Sequence, residues 1–372
     1  MKLYWKIVIG LAGVIVVLNA LGFFTPFCDF YTAHIYGALT LPLSKLTAGT
    51  SVAIGEILMY AAAAMLVLAL VLTVLRIFLR HLPFFACVVR IYLKTCLIVL
   101  LCGLLLFTLN WSIPFRATPL SSTFSTGEHT LSELQTLRNY IISGMNEAAA
   151  DAPRDESGNL VYSDDVSEKV ASAMAALGSE FPQLGGYYPP MKDALCSDVL
   201  EWMGIGGYTY PYTMELTYNH HVTQLYFPSL YAHESVHHKG CYLESEANFF
   251  AYLGCSRSED AIVRYSAYES VYYYVENAYV NALMDAYDSS SATQCFNAQP
   301  QLSEQVSTDL NYVAEQREQA YEENVDKQAE EEFSGLAQSL SEVGWSTQDQ
   351  VLQENNYSGV VGLLLDYYQG KL

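Results

Sequence analysis

Residues 233–237 read His-Glu-Ser-Val-His. On a helix, positions i and i+4 share one face, so His233 and His237 can bind the same ion. Glu234 adjoins His233 and can reach a water held by that ion. This spacing suits Zn²⁺ with Glu234 as general base, the metal lowering the pKa of its water toward ~7. A catalytic zinc needs a third protein ligand and an open position. Gly240 can end the histidine helix, and Glu244 then opens another, with Asn248 one turn on. The plain alternative is a helix bearing two surface histidines. A structural zinc site with Cys241 as fourth ligand is a further reading.

These residues need a scaffold. Upstream of the motif, 130–150, 165–178 and 193–203 suit helices. Residues 208–218 (YTYPYTMELTY) alternate and are rich in Tyr and Thr, which predicts one strand, at an edge or bulged because of Pro211. A peptide can add to such an edge as a further strand. Glu215 could therefore bind a substrate amine or face the metal cleft, the alternative being an ordinary exposed acid. From 229 onward the pattern is helical, over 229–239, 244–254, 259–287 and 303–333. Tyr265 and His238 could stabilise an oxyanion, although a packing or surface role suits each as well. His220 and His221 suit a polar turn.

The first 114 residues hold only two acids, Asp29 and Glu56, against seven Lys or Arg. The remainder carries 37 acids and 11 Lys or Arg, a formal charge of −26 against −21 for the whole chain. So acidic a surface repels nucleic acid, and none is expected as a partner. Residues 7–24, 57–79 and 95–111 are apolar runs of membrane-spanning length, with Pro83 an alternative start for the third. Lys2, Lys6, Arg76, Arg80, Arg90 and Lys94 mark the cytoplasmic side. The 25–52 loop and everything after Trp111 are then expected outside. The expected organisation is a three-helix anchor over 1–111 and an extended linker over 112–125. An extracytoplasmic, mainly α, α+β domain with a small edge-stranded sheet and acidic C-terminal helices follows over 126–372. No CxxC pair appears. Cys196, Cys241, Cys255 and Cys295 allow two disulfides or four free thiols.

Several stretches carry a likeness. They are Phe107–Arg116, Pro189–Lys192, Gly204–Tyr208, the P-Y-T-x-E-x-x-x-N run from Pro211 to Asn219, and the HExxHxxGxxxExEAN block from His233 to Asn248. Together they resemble the domain-of-unknown-function 3810 family of bacterial membrane proteins, over roughly 107–268 with the three spans before. No likeness is seen after 290. That family is similar to glutamate-ligand zincins and has no established substrate. The run Glu244-Ser-Glu-Ala-Asn-Phe-Phe-Ala251 matches the zincin ExxA(D/N)xxA shape. The resemblance implies a zincin-like metallopeptidase. Zn²⁺ would be held by His233, His237 and Glu244, with Asn248 bracing a ligand histidine. Glu246 is the alternative third ligand, because the six residues between His237 and Glu244 make a short gap for the group. Ser235 and Val236 stand where the family has a small apolar residue. Peptides or exported proteins beside the membrane are the expected substrates. A non-catalytic sensor or scaffold is the rival reading.

Overall fold

The computed structural model describes residues 2–124, 127–324 and 359–372. The chain forms two compact units. The first comprises Met1–Thr118 together with Tyr210–Glu215, and the second Pro119–Thr209 together with Leu216–Leu372.

In the first unit, helices α1 (Leu3–Leu21), α4 (Ile54–Phe78) and α5 (Pro83–Phe107) are long and apolar enough to cross a membrane. At 1.5 Å per residue, even the 19-residue α1 comes to about 30 Å, the thickness of a bilayer's hydrocarbon core. Leucines and valines such as Leu66, Val67 and Leu70 point outward along α4, each over 60% exposed, as a helix facing hydrocarbon requires. Pro83 starts α5 in the first turn, where its missing N–H costs nothing. Polar contacts tie α1 to the far end of α5: Asn19 Nδ2 donates to Thr108 Oγ1 at 3.0 Å, and Ser112 Oγ donates to Asn19 Oδ1 at 3.3 Å.

Two expectations are corrected here. Residues 25–48 are helical, not a loop: α2 (Thr25–Tyr31), a π-turn and α3 (Gly37–Ala48) follow one another. Cys28, Tyr31 and Tyr36 pack in an apolar cluster with Ile113 and Met214, while the Thr40 and Ser44 hydroxyls bond back to the carbonyls four residues earlier. The stretch 112–125 is not extended either, since Pro114–Arg116 and Leu120–Thr123 are short 3₁₀ turns.

The second unit is mostly helical around a three-stranded sheet. Its elements are α6 (Leu131–Asp151), α7 (Val166–Ala176), β1 (Met191–Asp193), α8 (Ser197–Trp202), β2 (Gly207–Tyr210) and β3 (Glu215–Tyr218). Then come α9 (Phe227–His238), α10 (Glu244–Cys255), α11 (Ala261–Ala286), α12 (Ser289–Asn297), α13 (Glu304–Asn324) and α14 (Val360–Tyr368). The rest of the helix expected over 303–333 lies outside the described residues. Thr130 and Glu133 form a capping box at the start of α6. The core is built where α11 packs along α6 and α10 packs against α9, α11 and α14. Phe249, Phe250, Tyr252 and Tyr279 fill it. Arg138, 1% exposed, crosses it to a paired contact with Glu276, Nε–Oε2 at 2.7 Å and Nη2–Oε1 at 3.0 Å.

The sheet order is β1-β3-β2, with β1 parallel to β3 in the register Met191↔Leu216. The single strand expected over 208–218 is a hairpin instead. Pro211 lacks a ladder donor, and Met214 takes a left-handed φ of 57°, so the chain turns between β2 and β3. β2 is left at the sheet edge. All eight cysteines are free thiols.

Candidate metal centre

Helix α9 begins with Pro228 in its first turn and is buried on nearly every face. It stops at His238. Gly240 then adopts φ 86°, a conformation open to glycine, and reverses the chain into α10. That turn lays the first residue of α10, Glu244, beside the two histidines of α9. His233 Nε2 lies 3.1 Å from His237 Nε2 and 3.1 Å from Glu244 Oε2. His237 Nε2 lies 3.5 Å from Glu244 Oε1.

The other ring nitrogens are held from behind. His237 Nδ1 lies 2.8 Å from the Cys241 carbonyl, and His233 Nδ1 lies 2.9 Å from Asn248 Oδ1. Both partners are acceptors, so each Nδ1 carries the proton and each Nε2 presents its lone pair. With both rings neutral, two imidazole lone pairs and a carboxylate therefore converge on one point, which a proton or a cation can fill. For a tetrahedral ion with bonds of about 2.05 Å, neighbouring ligand atoms stand about 3.3 Å apart. The observed separations bracket that value, so the residues present fit a divalent cation.

The electrostatics agree. Burial favours neutral His237, yet its bond to Glu244 and the charges of Glu234 and Glu244 push its pKa up to about 9. Burial would raise Glu244, but its bonds to His233 and His237 hold it well below the usual carboxylate range. The cluster attracts positive charge.

Glu234 is 3% exposed and stands outside the ligand group. Burial raises its pKa, opposed by His237, His233 and a hydrogen bond from Thr209. Thr209 Oγ1, on β2, lies 2.9 Å from both Glu234 Oε2 and the Glu234 carbonyl. Sequence reasoning missed Thr209, whose only signal was its place in a strand expected beside the metal helix.

Other candidates fall elsewhere. Glu246 turns away from the histidines and accepts from the Ser121 backbone N–H at 2.6 Å, so it is not grouped with them. Two residues along a helix is a rotation of about 200°, which separates it from Glu244. Glu215, in the first unit, is 1% exposed and is neither an exposed acid nor in the metal cluster. It accepts from the backbone N–H groups of Ile54 (3.0 Å) and Gly55 (2.7 Å) and from Thr213 Oγ1, capping the start of α4. Tyr265 is buried and donates its hydroxyl to Asp309 Oδ2 at 3.1 Å. His238 is buried near Tyr188, and burial, with Lys239 adding, drives its pKa down to about 3. It is not grouped with the metal candidates. The Cys241 thiol accepts from Gln183 Nε2 at 3.3 Å and is not among the grouped ligand atoms. His221 pairs with Asp198 at 2.9 Å in a polar turn beside His220, a second trio whose atoms lie within 4.8 Å of one another, with Asp198 and His220 exposed.

No curated protein and no solved structure matches the chain. A family model described as Protein of unknown function (DUF3810) matches residues 31–339, farther in both directions than the motifs of the HExxH region reach. The match takes in α4 and α5, both candidate metal-binding helices and all of α13. The chain belongs to this family of proteins of unknown function, DUF3810.

Proposed function

We propose that the protein is a membrane-anchored, zincin-like zinc metallopeptidase. The observation that carries the reading is the convergence of His233 Nε2, His237 Nε2 and the Glu244 carboxylate at 3.1–3.5 Å, each imidazole tied from behind. His233, His237 and Glu244 would hold the ion, three protein ligands leaving a fourth position open, as catalytic zinc sites do. Zn²⁺ bound there would supply Lewis acidity, polarising a scissile carbonyl and acidifying a water.

The chain's own groups do the rest. Thr209 orients the Glu234 carboxylate, and burial raises its basicity, which suits a group that takes a proton from water and passes it to a leaving amine. β2, an outer strand of the sheet joined to Glu234 through Thr209, suits a peptide that adds as a further strand. Asn248 and the Cys241 carbonyl fix the imidazole tautomers.

The sidedness belongs to the same proposal. Arg76, Arg80 and Arg90 flank the α4–α5 turn, and Tyr4 near the start of α1 donates to the Lys94 carbonyl. The basic residues thus gather at one end, which supports a cytoplasmic N-terminus and an extracytoplasmic second unit. Exported proteins or peptides near the bilayer would be the substrates, with no nucleic-acid partner.

The rival is a non-catalytic zincin-like sensor or scaffold. The retained Glu234 favours the enzyme. In the full-length protein purified in detergent without chelator, Glu234→Gln should keep about one zinc per chain and lose hydrolysis of a casein or peptide-library substrate. Equal hydrolysis by wild type and Glu234→Gln would refute the mechanism. Zinc binding with no hydrolysis in either would favour the scaffold.

A further inference from the structure

A cavity of about 340 Å³ opens in the second unit, walled by the chain before β2, the segment from Asn219 to Tyr226, α11 and α13. It is apart from the metal ligands. Its size is at the lower end for a small-molecule pocket. Two polar side chains in its wall lack partners among the described residues. Glu269 lies on α11, and no hydrogen bond or ion pair reaches its carboxylate, although Arg317 lines the same cavity. The Thr223 hydroxyl is buried and has no hydrogen-bond partner. Glu201 also lines the wall, accepting from Asn219 Nδ2 at 2.6 Å. Tyr226, Tyr273 and Tyr274 supply aromatic faces.

Thr223 is a buried hydroxyl without a partner, and Glu269 is a half-buried carboxylate that no described donor reaches, so a donor entering the cavity would satisfy both. Two carboxylates face one guanidinium, that of the exposed Arg317, and His221 is the other basic group in the wall. Tyrosine faces attract cations. Burial pushes Glu269 up to about 7, with the Arg317 charge pulling back, so at neutral pH a bound cation would hold the carboxylate ionised. All of this favours an amine or guanidinium over an acid or an apolar group.

The chain also fixes how far the cavity lies from the proposed chemistry. Tyr226 precedes α9 and stands seven residues before His233, about 10 Å along a helix. Gly206 stands three residues before Thr209, about 10 Å along a strand. A peptide paired with the edge of β2, its scissile bond beside Glu234, would bring the side chain about three residues away to the cavity.

We infer that this cavity is a specificity subsite for a basic side chain, lysine or arginine, of the bound peptide, with Glu269 and Thr223 as its acceptors. The three-residue offset rests on the metallopeptidase reading, whereas the preference for a cation does not.

The test uses the full-length protein in detergent, as Glu234→Gln so that no peptide is consumed. The probes are acetyl-Ala-Lys-Ala-amide and the same peptide with norleucine or glutamate in place of lysine, with binding read by saturation-transfer NMR. The lysine peptide should bind at least tenfold more tightly than the other two. Adding Glu269→Gln should erase that preference while thermal unfolding stays cooperative. Equal binding of lysine and norleucine peptides, or a preference that survives Glu269→Gln, would overturn the subsite. Cleavage of a peptide library by wild type separates the two proposals. Cleavage with no preference for Lys or Arg three residues from the cut keeps the peptidase and removes the subsite. Glu269-dependent lysine binding without any cleavage keeps the cation pocket and removes the peptidase.

Discussion

Replacing Asn248 with leucine tests the metal centre at its least obvious member. The two side chains are close in size, so packing along α10 is kept while the acceptor 2.9 Å from His233 Nδ1 is lost. His237 keeps its bond to the Cys241 carbonyl, so only one imidazole is released. The freed ring can rotate or move its proton to Nε2, and either change removes a lone pair from the cluster. Loss of such a supporting partner weakens metal binding by about 10–100-fold, or roughly 1.4–2.8 kcal/mol. Competition between the full-length protein and a chromogenic zinc chelator would measure this, with circular dichroism as the folding control. Asn248→Asp, which keeps an acceptor and adds charge, should bind zinc at least as well as wild type. If Asn248→Leu folds normally and binds zinc as tightly as wild type, the supporting role of Asn248 is wrong.

Further outcomes follow from the same geometry. Thr209→Val should leave zinc content unchanged and lower kcat on a peptide substrate by about 10-fold or more, as Glu234 loses its orienting bond; stopped assays beside metal analysis would check it. Arg138→Met should destabilise the second unit by about 3–5 kcal/mol, because Glu276 loses its buried partner, seen as a lower denaturation midpoint. Glu269 gives a pH dependence of stability. Its folded pKa of about 7 lies above the ordinary carboxylate value, so the folded state binds the extra proton between roughly pH 4.5 and 7. Stability should therefore fall as pH rises through that window, by at most about 3 kcal/mol. Glu269→Gln should lose this component when unfolding is followed from pH 5 to 8.

The grouping of His233, His237 and Glu244 was readable because it is local. An i, i+4 histidine pair, a glycine turn and a glutamate opening the next helix are all encoded within sixteen consecutive residues, and helix geometry does the rest. The ambiguity between Glu244 and Glu246 could not be resolved from spacing, since both lie in the first turn of α10. Only the rotation between them, and the Ser121 amide that takes up Glu246, separates their roles. The misplaced residues all have distant partners. Tyr265 meets Asp309 from α13, and Glu215 meets amides far upstream. Residues 25–48 read as a loop because the partners of their apolar residues are distant: Cys28, Tyr31 and Tyr36 cluster with Ile113 and Met214. The membrane-length helices, by contrast, follow from length and composition alone.

The cap on α4 also sets an order of events in biosynthesis. The amides of Ile54 and Gly55 open a helix apolar enough to enter a bilayer, yet the carboxylate that satisfies them lies 160 residues downstream of Gly55. At ribosomal speeds of about 5–20 residues per second, that helix end waits roughly 10–30 s for its partner. Until then water, lipid headgroups or a chaperone must stand in for Glu215. The first unit is therefore finished only after residues 119–209 of the second have been made. A cut between residues 118 and 119 would not free either unit intact, because the turn from Tyr210 to Glu215 would leave with the wrong piece.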